Sequence, residues 1–293
     1  MTPMVRAAIA CLCLLCAGVE GHAQQDVPAA QEAIEPDRPD VTNGTHIVDI
    51  GLLQIEIGGV YTHVALGQHA FGTPVTARVG LLEWFEARVG TDGLLLQTDE
   101  NGRNTGLGNI QLGAKLRLWA DPGGVPVLSV LPAINLPAAS AERGLGSGDA
   151  DYTVAFLTGT DLGRHWHVDV NYGIGSIGAG GGQPHFIQHL LSASASVAAS
   201  DNWNPYIEAF WFSRQAGDAG ALTAVDAGAI YELGARFAID GGVQIGVNGN
   251  APGLTAFGGL SIVVGDILGG HGVHARQRKA QERGRKAKRS SAS

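Results

Sequence analysis

The sequence predicts an all-β fold: a transmembrane, antiparallel, up-and-down β-barrel of about twelve strands. Three observations carry that expectation. The first is a long hairpin. In residues 108–119, Ile110, Leu112, Ala114, Leu116 and Leu118 alternate with Asn109, Gln111, Gly113, Lys115 and Arg117, and a period of two gives a strand with one apolar and one polar face. Asp121-Pro122-Gly123-Gly124 follows as a turn, since Pro presets φ and Gly admits φ > 0. A second apolar run occupies 125–136. Each arm has about 11 residues, the length a tilted strand needs to cross a bilayer. The second observation is composition. Gly makes up 44 of 293 residues and charged residues only 16%, against about 7% and 25% in soluble domains. No apolar run reaches the 18 residues of a helical span. The third is the sorting of connections into short and long.

Taken in order, Met1 to Ala23 reads as a secretory signal peptide. Arg6 supplies the positive start, residues 7–18 the apolar stretch, and Gly21-His22-Ala23 the small residues before cleavage. Cys11, Cys13 and Cys16 all lie inside it, so the mature chain has neither a disulfide framework nor a thiol site. Leu14-Leu15 before Cys16 does not fit a lipid-attachment signal. Residues 24–46 are polar, with Pro28, Pro36 and Pro39. They are expected to form an unstructured periplasmic leader, with a small plug in the barrel mouth as the sharper reading.

From Gly51 the pattern gives twelve strands, near 51–63, 74–81, 85–91, 108–119, 125–136, 150–160, 165–175, 185–200, 205–213, 221–231, 236–248 and 254–264. The links at 82–84, 120–124, 161–164, 201–204 and 232–235 are short. Those at 92–107 and 137–149 are the longest. Short turns on one rim and long loops on the other are the pattern of an outer-membrane barrel. A secreted β-sandwich gives no reason for this sorting.

Side-chain phase agrees with it. Outward sets such as Leu53, Ile55, Ile57 or Ile207, Ala209, Trp211 carry no charge. The inward positions hold Glu56, Arg78, Glu86, Arg88, Lys115, Arg117, Asp151, Asp169, Glu208, Arg214, Asp226, Arg236 and Asp240. An Arg or Lys facing mid-bilayer lipid costs about 2–4 kcal/mol. Trp84, Trp119, Trp166 and Trp203 mark the short-turn rim, and Tyr61, Tyr152, Tyr172 and Trp211 lie toward the other, as amphipathic rings do at headgroup level. The barrel is expected to end near residue 265. Residues 266–293 form a basic tail expected to be disordered. Eight of the 19 Lys and Arg residues fall between Arg276 and Arg289, leaving 11 basic against 26 acidic groups in residues 1–273. An acidic body speaks against nucleic-acid binding.

Several stretches stand out together: Asp37-Arg38-Pro39-Asp40 followed by Gly51-Leu52-Leu53-Gln54-Ile55-Glu56; Gly108-Asn109-Ile110-Gln111-Leu112-Gly113-Ala114-Lys115; Leu131-Pro132-Ala133-Ile134-Asn135-Leu136-Pro137; Gly146-Ser147-Gly148-Asp149-Ala150-Asp151-Tyr152; and Tyr206-Ile207-Glu208. In their order and spacing they resemble the meta-pathway phenol-degradation family of outer-membrane proteins. The resemblance covers residues 35–264. It implies a transporter-like barrel for small aromatic or other hydrophobic compounds, and it assigns no site residues. The basic tail and the absence of a terminal aromatic depart from the family pattern.

The candidate lumen lining is Glu56, Arg78, Glu86, Arg88, Lys115, Arg117, Asp169, Glu208, Asp226 and Asp240. The expectation is that Glu56, Glu86, Glu208, Asp226 and Asp240 pair with Arg78, Arg88, Lys115 and Arg117 and so narrow the pore. No enzyme, cofactor or metal is expected. His165 and His167 start one strand while His185 and His189 sit near the opposite rim, so the two pairs read as solvated histidines. A lipid hydrolase would need a lumen- or rim-facing Ser–His pair, which the expected strand pairing does not supply. There is no Gly-x-Ser-x-Gly elbow and no phosphate-binding glycine loop. The expected partners are outer-membrane lipid, the outer-membrane assembly machinery and a small solute. The alternative to a channel is a structural barrel that binds through its external loops.

Overall fold

The computed structural model describes residues 34–39, 41–65, 67–100, 102–119, 126–163 and 165–268. The expected signal peptide, its cysteines, the Asp121–Gly124 turn and the basic tail lie outside these residues.

Fifteen strands form one antiparallel sheet: β1 (Leu52–Ala65), β2 (Gln68–Gly72), β3 (Val75–Leu82), β4 (Phe85–Thr91), β5 (Leu94–Asp99), β6 (Gly102–Leu107), β7 (Ile110–Trp119), β8 (Val127–Leu136), β9 (Asp151–Leu162), β10 (Trp166–Ile177), β11 (Phe186–Val197), β12 (Trp203–Phe212), β13 (Leu222–Gly234), β14 (Phe237–Gly246) and β15 (Leu254–Asp266). The strand order is β15-β14-β13-β12-β11-β10-β9-β8-β7-β4-β3-β1-β2-β5-β6, and β1 also closes on β15 through a register running from Leu52 opposite Asp266 to His63 opposite Leu254. Twelve strands therefore close the wall, and each of the twelve expected segments contains one. Closure matters because an open sheet edge in hydrocarbon would leave backbone groups unbonded.

The region read as a long loop, 92–107, is instead a strand hairpin, β5–β6, and β2 lies in the preceding link. These three short strands continue β4, β7 and β3 beyond the wall. Thr73-Pro74, Asp92-Gly93 and Gly108-Asn109 interrupt all three at one level. Pro lacks the N–H a ladder needs, and Gly93 takes φ 67, open to glycine at little cost. Bonds such as Gly108 N–H to Gly93 O at 2.7 Å carry the sheet across the break. The 137–149 connection, with a 3₁₀ turn over Ala141–Arg143, covers the free edge of β6: Arg143 donates to the Thr105 carbonyl at 3.0 Å.

The wall is dry outside and polar inside. Ile207, Val89, Ile245 and Ile239 are exposed on the outer face, while Gln54, Glu56, Arg78, Glu86, Lys115 and Ser129 are buried on the inner one. Trp84, Trp119, Trp166 and Trp203 stand exposed near the short-turn rim. Trp203 packs at 5.9 Å from Tyr231, and Trp119 bonds the Pro126 carbonyl. One stretch of wall is almost bare of side chains: Gly228 faces Gly242 across β13–β14, Gly241 faces Gly258, and Gly258 and Gly259 face Gly59 and Gly58 across the closing seam.

Candidate functional site

The described part of the leader is not a free segment. Residues 34–39 and 41–50 run through the lumen and touch β1, β3, β4, β7, β8, β12, β14 and β15. Ile34 packs on Ala238 and Val263. Val41 packs on the cluster of Phe210, Leu222 and Ala224. Between these anchors the backbone crosses to β12, where Glu208 accepts from Val41 N–H at 2.9 Å, from Thr42 N–H at 2.6 Å and from the Thr42 hydroxyl. It then returns past β8, where the Ser129 hydroxyl donates to the Thr45 carbonyl, and β4, where Glu86 accepts from Val48 N–H at 2.9 Å. Ile50 forms a bridge with Gly80 before β1 begins. A side chain at Gly80 would overlap the Val48 carbonyl, so glycine there lets the leader lie against β3. Polar residues that looked too soluble to fold are held because the wall supplies their partners.

Asp37 is the hub. Its Oδ2 lies 2.6 Å from Lys115 Nζ, 2.9 Å from Arg88 Nη2 and 3.4 Å from Arg78 Nη2. Arg78 also grips Glu86 through Nε at 2.9 Å and Nη2 at 3.0 Å, and Glu56 through Nη1 at 2.8 Å. Lys115 completes its three bonds with the Gly44 and His46 carbonyls. Three cations thus meet three carboxylates, one of them from the leader. Burial works to raise the Asp37 pKa, but the charges of Arg78, Lys115 and Arg88 outweigh it and hold the group well below the usual carboxylate range.

The expected pairing is correct for only part of the set. Glu56 and Glu86 bind Arg78, and Arg88 reaches Glu86 at 3.6 Å. Glu208 and Asp240 do not pair with wall cations, because they sit on β12 and β14 across the lumen and the leader reaches them first. Asp240 takes Arg38 at 3.3 Å, whose guanidinium rests where side chains at Gly58 and Gly259 would stand. Asp226 lies beside Glu208 in register. Arg117 and Asp169 each keep one buried atom without a partner, and so does Asp226. The leader carbonyls and Asp37 are the functional groups that sequence reasoning missed. Their one signal was the charged string Glu35 to Asp40.

Asp169 instead joins His167 at 3.2 Å, which also meets Asp161 at 2.7 Å. His165 stands beside Ala198, whose N–H donates to its carbonyl at 2.8 Å. No metal-binding group of three or more His, Cys, Asp or Glu occurs among the described residues. One Ser–His pair does exist, contrary to expectation: Ser176 Oγ lies 3.2 Å from His185 Nδ1. It arises at the mouth of the β10–β11 hairpin, on the exposed side. Among the described residues no carboxylate pairs with His185, so nothing orients the ring as a triad requires.

A closed twelve-stranded wall, apolar outside and crossed inside by its own leader, is the architecture of an outer-membrane β-barrel. The chain belongs to the family described as "Putative MetA-pathway of phenol degradation", which it matches over residues 36–263. Its fold is similar to that of the COG4313 outer membrane channel from Pseudomonas putida F1, with 13% identity, a TM-score of 0.58, and coverage of 82% of this chain and 100% of the other. It is also similar to the NanC porin, with 10% identity, a TM-score of 0.54, and coverage of 72% and 100%. No curated protein matches the sequence.

Proposed function

We propose that the protein is an outer-membrane channel that admits small hydrophobic, chiefly aromatic, molecules through a lumen its leader keeps narrow. The observation that carries this reading is the seating of residues 34–50 across the barrel by a buried, charge-matched network. A wide aqueous pore would leave those charges in water, whereas here they are buried against one another. The family description supplies the aromatic class of solute. The reading places the chain in the outer membrane, exported by a cleaved signal over residues 1–23 and inserted by the outer-membrane assembly machinery. It assigns no catalytic step: Ser176 and His185 lie outside the lumen.

The test has two arms. In planar bilayers the protein should show small, selective conductance, and intact Gram-negative cells producing it should take up a radiolabelled monocyclic aromatic faster than cells without it. Large nonselective conductance, or unchanged uptake, would overturn the proposal.

A further inference from the structure

The extension beyond the wall holds a cleft that the leader network does not use. Val60 and Thr62 occupy the same face of β1 as Gln54 and Glu56, because residues two apart share a face and no bulge interrupts β1 between them. Across the sheet Thr62 faces Ala70 and Val60 faces Gly72, which in turn face Gln97 and Leu95. All these positions therefore look toward the inside of the long-loop mouth. With Pro74 and Asp92 they enclose a cleft of about 250 Å³.

The chemistry is one-sided. Val60, Ala70, Pro74 and Leu95 give an apolar floor, and Asp92 and Gln97 supply the polar edge. Asp92 is fixed by its neighbour: Asn109 N–H donates to Oδ2 at 3.0 Å, and Asp92 N–H donates to the Asn109 carbonyl at 3.2 Å. Its Oδ1 accepts from no described residue. The side chain lies flat against Gly108, where any Cβ would collide with it. A carboxylate that only accepts, beside an apolar floor, favours a neutral ligand bearing a hydrogen-bond donor and disfavours an anion. The volume lies just under the ~300 Å³ at which sites for drug-sized ligands begin, so it suits a single ring.

We propose that this cleft is an external capture site for a neutral monocyclic aromatic carrying a hydroxyl or amino donor, its ring on Val60 and Leu95 and its donor on Asp92. The inference rests on the channel reading and deepens it by naming the solute class and the point of first contact.

The experiment uses the full-length protein in lipid nanodiscs, with phenol, toluene and benzoate as probes in saturation-transfer NMR and empty nanodiscs as the reference. Phenol should bind saturably and benzoate should not. Leu95→Trp, which fills the cleft, should weaken phenol at least tenfold. Asp92→Asn, which keeps the bond to Asn109, should weaken phenol several-fold and leave toluene unchanged. If Leu95→Trp fails to show a heat-modifiable barrel, Ala70→Leu fills the same space from β2 and should have the same effect. Equal phenol binding in a folded, cleft-filled variant would overturn the proposal, as would no saturable phenol binding by the unmodified protein. The channel reading fails separately: cellular uptake absent while binding is saturable and lost on filling the cleft leaves the site standing and removes transport. Uptake present and unaffected by filling does the reverse.

Discussion

The two halves of the inner wall are built on different terms. On β1, β3, β4 and β7, Glu56, Arg78, Glu86 and Lys115 are buried and fully engaged with one another and with the leader. On β10, β11 and β13, Asn171, Ser192 and Asp226 are as deeply buried, yet each keeps an oxygen without a partner. A buried polar atom without a hydrogen bond costs about 1–3 kcal/mol. The leader is therefore fastened on one side by a cluster of charges, and across the lumen by Glu208 on β12 and Asp240 on β14.

The sharpest way to break that contrast is Asp37→Ala. It leaves Arg78, Arg88 and Lys115 facing only two carboxylates, and loss of one member of a buried ionic cluster costs about 3–5 kcal/mol. Conductance should rise and the urea midpoint of the refolded barrel should fall; an unchanged midpoint would remove Asp37 as the hub. Gly80→Leu attacks the leader's seating sterically. The leader should lift from β3, with a gain in conductance, while the wall loses about 1–3 kcal/mol or less. A fully occluded, low-conductance Gly80→Leu barrel would show that the close approach is dispensable. On the other half, Ser192→Ala deletes a hydroxyl that bonds nothing, so stability should change by under ~1 kcal/mol or improve. A loss of several kcal/mol would mean that the Ser192 hydroxyl is held by a partner in the folded barrel.

The smallest expected effect is that of mild acid. Asp37 is depressed in the folded state, so its contribution is complete above the unfolded carboxyl value of about 3.9. It declines as pH falls below that value toward the lower, folded one, where it is lost. Lowering pH from 7 to 5 should leave residues 34–50 protected from protease; release near pH 5 would show that Asp37 is not held by its three cations.

Most of the wall was readable because lipid imposes a period-two pattern and aromatic rims, both of which are local. Ile110, Leu112 and Leu118 announce their face without reference to any distant residue. The leader was not readable in the same way. Asp37 lies between Pro36 and Pro39 and Thr42 just after them, and what buries these polar residues is Lys115 and Glu208, which only barrel closure brings near. For the same reason Glu208 and Asp240 were assigned wall partners: sequence gives the phase of a charge but not the chord across a lumen. The β5–β6 hairpin was missed because Gly102 to Leu107 has too few apolar residues to show alternation.

The glycines flanking the closing seam have one further consequence. Where Gly228, Gly242, Gly241, Gly258, Gly259, Gly58 and Gly59 meet, the wall is little more than a single thickness of backbone, covered inside by Tyr206, Phe257 and Arg38. Branched side chains stiffen a sheet by crowding their neighbours, and a sheet relieved of them bends sharply at a corner. The wall beside the seam thus carries few side chains that would resist bending.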